Sequence, residues 1–196
     1  MTAESPRAAW QLVTPPVAEP VTLSEAKLHL RVDGSAEDAL IALYVQAARQ
    51  ALEEALWRSL MTQTWQLALD EWPETDNWIE LPRPPVQSVS GVTYRDNLAV
   101  THTLPSSNYH VDTYAEPGRI VLAYGRGWPT TALDTNRPIR ITYVAGYASA
   151  ANVPALVRAA LLLQVADYYA NREAVALSAA TLSDTVRRTI PLAWVR

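Results

Sequence analysis

Thr62-Gln63-Thr64-Trp65-Gln66-Leu67-Ala68-Leu69 is the stretch where the chain changes its period. On an extended backbone Gln63, Trp65, Leu67 and Leu69 share one face and Thr64, Gln66 and Ala68 the other, because successive strand side chains point to opposite sides. Upstream, the period is helical. Leu40, Tyr44, Ala48, Ala51 and Leu52 form one stripe, widened by Ile41, Val45 and Leu56, while Gln46, Arg49, Gln50, Glu53 and Glu54 lie mostly opposite. Downstream, from Thr62 to about Val144, the chain reads as strand and turn. Candidate strands are 78–81, 86–94, 99–104, 109–112, 119–124 and 139–144, separated by turn chemistry such as Pro82-Arg83-Pro84-Pro85, Asp96-Asn97 and Glu116-Pro117-Gly118. Short strands at this spacing predict a small antiparallel sandwich or barrel.

Helical periodicity resumes after Gly146. Pro154 suits a first helical position. Leu156, Val157, Ala160, Leu161, Leu163, Val165, Ala166, Tyr168 and Tyr169 leave only Gln164, Asp167 and Asn171 as a polar strip, which predicts a helix buried on most sides. Before the long helix, Thr22-Leu23-Ser24-Glu25 is a capping box opening a short helix to about Val32, with Gly34 placed to stop it. Ser35-Ala36-Glu37-Asp38 is a second cap signal, its acids favourable at the positive end of the helix dipole.

The predicted fold class is therefore α+β: a small bundle of three to four helices with an inserted antiparallel β domain. The expected organisation is a Pro-rich extended segment at 1–20 without a core of its own, a helical domain from 21–61 and 146–185, the β insertion at 62–145, and a C-terminal tail at 186–196. The segment 174–185 reads as loop or weak helix.

Composition narrows the function classes. The chain has 196 residues, a formal net charge of −4 and a single lysine, Lys27, with no basic run. A protein that grips nucleic acid carries a basic face, so tight phosphate binding is not expected, whereas DNA sliding past without sticking is compatible with this balance. There are no cysteines, which removes disulfides and thiolate metal sites and fits assembly in a reducing cytoplasm. Met1 to Trp10 lacks the basic and apolar regions of a signal peptide, and no apolar run is long enough for a membrane span. Seven Trp and nine Tyr against no Phe imply aromatic surface that needs covering, by partner subunits among other means.

The chemistry-bearing residues form no reaction centre on paper. His29, His102 and His110 lack metal-ligand spacing with one another or with a carboxylate, so neither a metal nor a cofactor is expected. Asp70, Glu71, Glu74 and Asp76 are the only clustered carboxylates and read as a solvated turn. Gly125-Arg126-Gly127 lacks the helix and lysine of a phosphate loop. No catalytic residue is predicted. The alternative reading is a carbohydrate-binding or glycan-active β domain, with Trp72, Trp78, Trp128 and Tyr124 as a sugar platform and Asp70 and Glu71 as acids.

Pro20-Val21-Thr22-Leu23-Ser24-Glu25-Ala26-Lys27-Leu28-His29-Leu30-Arg31-Val32, then Glu37-Asp38 and the long helix, resembles the opening of the gp6-like head–tail connector proteins of tailed phages and prophages, in the branch with an inserted β region. Leu60 to Trp65, Leu81 to Val86 with Val89 and Val92 to Tyr94, and Val153-Pro154 through Tyr169-Ala170-Asn171-Arg172-Glu173 agree in order. The resemblance implies a non-enzymatic virion part of a phage, prophage or gene transfer agent, assembled in the bacterial cytoplasm. Such parts form a ring, usually twelvefold, beneath the portal; they continue the channel for double-stranded DNA and present a surface to stopper and tail-terminator proteins.

A closed ring needs two different contact faces per copy. Tyr44, Arg49, Trp72, Trp78, Trp128 and Arg172 are the candidate contacts between copies, being the residue types that anchor interfaces. For the portal, the candidates are Arg187, Arg188, Ile190, Leu192, Trp194 and Arg196, since related adaptors grip it through their C-terminal part.

Overall fold

The computed structural model describes residues 8–171. It comprises β1 (Ala8–Thr14), α1 (Leu23–Leu30), α2 (Asp38–Leu56), β2 (Gln63–Leu69), β3 (Trp78–Glu80), β4 (Val86–Arg95), β5 (Thr101–Thr103), β6 (Tyr109–Asp112), β7 (Arg119–Leu122), β8 (Ile139–Ala145) and α3 (Ala155–Ala170). The fold is α+β, with three helices and two antiparallel sheets among the described residues. Two compact units divide it: residues 16–61 with those from 147 onward, and residues up to 15 with 62–146.

In the helical unit the capping box forms as read. Thr22 Oγ1 accepts from the Glu25 amide at 3.2 Å, and Glu25 Oε2 accepts from the Thr22 amide at 2.8 Å. Gly34 is not the stop: α1 ends on Arg31, which adopts the left-handed conformation at φ 59° and donates its amide back to Leu28. α2 starts on Asp38 without a side-chain cap, so the Ser35 signal goes unused. Its buried stripe is Ile41, Val45, Ala48, Leu52 and Leu56, rotated about one residue from the expected one; Leu40 and Tyr44 are half-buried and Ala51 is exposed. The reason lies in the partner surface. Branched Ile41 and Val45 fill the core with Leu60, Val157, Leu161 and Val165, while the Tyr44 ring meets Tyr168 at 6.0 Å. Pro154 sits one position before the helix, with extended ψ 134°.

α3 corrects a second expectation. Leu156 is 42 % and Leu163 55 % exposed, while Gln164, read as part of the polar strip, is buried at 9 %. An all-apolar helix has no periodicity to say which face turns inward, and packing against α1 and α2 made that choice.

In the β unit the five-stranded sheet runs β1-β2-β8-β4-β5 and the three-stranded sheet β3-β7-β6. Between them lie Leu67 and Leu69 of β2, Val92 of β4, Ile139, Ile141 and Tyr143 of β8, and Ile79, Ile120 and Tyr109 of the smaller sheet. β8 holds the centre because Ile139, Ile141, Tyr143 and Ala145 alternate inward, each large side chain contributing about 1.5–3 kcal/mol on burial. The Tyr143 hydroxyl, deep in this core, donates to the Pro82 carbonyl at 2.7 Å, and burial pushes its pKa far up. β5 is shorter than the expected 99–104. Asp96 Oδ1 accepts from the amides of Leu98 and Val100, both at 2.9 Å, and Ala99 turns left-handed at φ 66°, so the turn consumes the first residues of that run.

Residues 8–14, read as part of an extended lead-in without a core of its own, form β1 and pair antiparallel with β2 from Ala8↔Leu69 to Thr14↔Thr64.

Gly118 marks a close approach. A Cβ there would lie 2.8 Å from both Cβ and Cγ2 of Val86. Gly118→Ala is expected to lower unfolding stability by about 1–3 kcal/mol, the usual effect of overpacking. Urea denaturation of the whole chain checks this; a variant indistinguishable from wild type means the Val86 side of the sandwich yields freely.

Candidate assembly interface

The residues expected to contact other copies fall into three groups. Arg49 and Trp72 are spent inside their own units. Arg49 is 3 % exposed, its Nε donating to Glu19 and its NH1 to Glu53, both at 2.7 Å. Trp72 is 8 % exposed and lies flat against Trp128 at 5.0 Å and edge-on to Tyr94 at 5.8 Å. Tyr44, Trp78 and Trp128 are half-buried. The Trp78 ring carries the Arg119 guanidinium at 5.7 Å, itself tied to Asp112 at 3.0 Å, and Trp128 Nε1 donates to the Asp76 carbonyl at 3.0 Å. Arg172 and the portal candidates Arg187, Arg188, Ile190, Leu192, Trp194 and Arg196 lie outside the described residues.

Surface was misjudged because residue type does not reveal which aromatic a turn folds over. What the structure exposes instead is aliphatic and nearly uncharged. On α3 Leu156, Ala159 and Leu163 line one outward stripe; on α2 Ala39, Ala42, Leu43, Gln46 and Gln50 line another, with no charge among them. Exposed helix faces ordinarily carry Lys and Glu, so these two faces are the candidate contact surfaces of the helical unit. Both helices turn their other sides into one core, so the two faces diverge within the helical unit.

The clustered carboxylates lie in a largely exposed turn. Asp70 Oδ1 accepts from the Arg137 amide at 3.1 Å, and Glu71, Glu74 and Asp76 face solvent. Of the four aromatics of the glycan reading, Trp72 is buried, Trp78 and Trp128 are half-buried and Tyr124 is exposed. One pair escaped the sequence reading: His102 Nε2 lies 2.7 Å from Asp96 Oδ2, and its ring stacks on Tyr94 at 5.1 Å. The bond to His102, with the amides of Val100 and Leu98, holds the Asp96 carboxyl below its ordinary range. This pair closes the β4–β5 turn. His29 and His110 are exposed, and no cluster of three metal-binding side chains occurs among the described residues. No described helix is long and apolar enough to cross a membrane.

Residues 20–102 match the family described as phage gp6-like head-tail connector protein. No curated protein matches in sequence. Among solved structures, the chain is similar to one in the neck of an empty gene transfer agent particle computed with C6 symmetry, at TM-score 0.74 and 23 % identity over 91 % of this chain and 94 % of that one. It is similar to one in the virion of a native gene transfer agent particle, at TM-score 0.72 and 25 % identity over 90 % and 93 %. A third, in the neck of a native particle computed with C12 symmetry, gives TM-score 0.70 and 24 % identity over 91 % and 94 %.

Proposed function

We propose that this chain is the ring-forming adaptor in the neck of a phage-like particle of the gene transfer agent kind. It stands under the portal as a ring of twelve copies that extends the DNA channel and attaches the stopper and tail-terminator components. The observation that carries this reading is the likeness to neck-particle chains over nearly the whole length of both partners, joined to the connector match over residues 20–102. The divergent apolar faces of α2 and α3 support it, because a head-to-tail contact between unlike faces closes into a ring. The tail at 186–196 is assigned to the portal, its alternation of Ile190, Leu192 and Trp194 with flanking arginines fitting a groove. Localisation in the virion, after assembly in the bacterial cytoplasm, follows from the same role.

Electron microscopy of the chain with its portal, together with solution mass, tests the assignment: rings on the portal support it, and a chain that stays monomeric beside a competent portal sinks it. Leu163→Asp is expected to abolish the ring while leaving the monomer's melting temperature within a few degrees, because the side chain is exposed in the single chain.

DNA passes through this ring unbound. With a net charge of −4 and no basic run, the isolated chain is expected to show no duplex binding at physiological salt. Submicromolar binding that weakens steeply with added salt contradicts this.

A further inference from the structure

We propose that the outer edge of β1 is a docking site for an extended segment of another protein of the neck. That segment lies along β1 as a further strand and brings an apolar, a polar and an apolar side chain in succession opposite Trp10, Gln11 and Leu12. The proposal rests on the ring reading and names a contact that ring closure leaves over. β1 itself stays paired with its own β2.

Four strands border the two sheets, β1 and β5 the larger and β3 and β6 the smaller. An edge strand presents backbone N–H and C=O groups that another strand can take up, and proteins blunt such edges by keeping them short or charged. Three of the four follow that rule. β3 and β5 have three residues each and β6 four, and they carry Glu80, His102, and His110 with Asp112. β1 does not follow it. Its seven residues, Ala8-Ala9-Trp10-Gln11-Leu12-Val13-Thr14, include no charge and no proline, and their register on β2 is unbroken from Ala8 to Leu12. All but Ala9 are exposed, and among the described residues no strand pairs with the side of β1 away from β2. Antiparallel residues turn their N–H and C=O alternately to one side and the other, so the ladder to β2 uses one set and leaves the other turned outward.

The rows that cross the sheet specify the occupant, because cross-strand partners share a face. Val89, Tyr143, Trp65 and Leu12 stand in one row, and Val92, Ile141, Leu67 and Trp10 in the next on the same face. Both rows are buried at their centre, at Tyr143, Ile141 and Leu67, yet they end in the open, on Leu12 at 43 % and Trp10 at 39 % exposure. Between them, on the opposite face, runs a polar row. Gln11 Nε2 donates to Gln66 Oε1 at 3.4 Å, and Gln66 Nε2 donates to Thr142 Oγ1 at 3.3 Å. One more strand continues all three rows if it is uncharged, apolar opposite Leu12 and Trp10, and polar opposite Gln11. Backbone pairing then supplies the affinity and the alternation supplies the selectivity.

The β1 of a second copy has this alternation as well, in Trp10-Gln11-Leu12. Two β1 edges pair about a twofold axis, however, and are used up at two copies, which does not build a ring. The unlike faces of α2 and α3 serve that closure in the ring reading. The occupant of the β1 edge is therefore a chain of a different kind.

Amide hydrogen exchange of residues 8–14, read by mass spectrometry in the isolated chain and in particles carrying it, tests the proposal. In the isolated chain about half of these amides, those turned away from β2, are expected to exchange freely. In particles the same amides are expected to slow by about 100-fold or more, as amides in a closed ladder do. Equal exchange in the two states overturns the proposal. Protection already present in the isolated chain, at a mass of two copies, puts a second β1 on the edge and overturns it too. Leu12→Lys is expected to keep the melting temperature within a few degrees and the ring intact while the added protection in particles is lost, because a lysine on the edge resists a further strand. Protection that survives this charge overturns the assignment. Particles without a ring of this chain sink the ring reading itself, and electron microscopy shows that before exchange is measured.

Discussion

Glu53→Ala is expected to cost the helical unit about 3–5 kcal/mol, the range for breaking a buried ion pair from one side. The Glu53 side chain ties Arg49 to the Leu60 backbone. Its Oε2 accepts from Arg49 NH1 at 2.7 Å, and its Oε1 accepts from the Leu60 amide at 2.8 Å, beyond the end of α2. Arg49 is 3 % and Glu53 8 % exposed. Truncation leaves a guanidinium facing Glu19 with its second carboxylate gone, and leaves the Leu60 amide buried without this acceptor. Leu60 is fully buried and directs the chain out of the helical unit toward β2, so the bond fixes where the helix hands over to the strand. Glu53→Gln keeps an oxygen for the Leu60 amide and is expected to lose less. Urea unfolding of both variants checks the order; equal losses, or a loss under about 0.5 kcal/mol for Glu53→Ala, means the network is not what holds this end of α2.

Deleting residues 189–196 is expected to leave a folded chain whose portal affinity falls at least 100-fold. The segment Thr189-Ile190-Pro191-Leu192-Ala193-Trp194-Val195-Arg196 carries large apolar side chains at alternate positions, and Pro191 interrupts any helix through it. Each such side chain buried in a partner contributes about 1.5–3 kcal/mol, and 1.4 kcal/mol is a factor of ten in affinity, so loss of Ile190, Leu192 and Trp194 together exceeds the stated change. Trp and Arg are also the residues that most often anchor interfaces. Co-sedimentation with portal and a melting curve separate the outcomes. Unchanged portal binding ends the assignment. A lowered melting temperature shows instead that the tail packs on its own helices.

Periodicity settled element type in this chain, because apolar spacing is a local property that backbone geometry reads directly. The change from 3.6 to 2 at Thr62, the alternation along Ile139 to Ala145 and the Thr22–Glu25 box need no knowledge of distant residues, and the structure has each of them. The likeness to the connector family, matched over residues 20–102, was legible in the order of short motifs along the chain.

Tertiary structure decided what depends on partners far away in sequence. Residues 8–14 show no strand signal stronger than that of many loops, and they become β1 only because β2, more than fifty residues later, offers an edge. Trp72 and Arg49 have the composition of interface residues, yet a facing Trp128 and a pair of carboxylates draw them inside. On α3 nearly every position was apolar enough to be core. The packing of α1 and α2 against one side selected Val157, Leu161 and Val165 for burial and left Leu156 and Leu163 outward, since a helix can turn only one face toward a single core and the sequence had marked none.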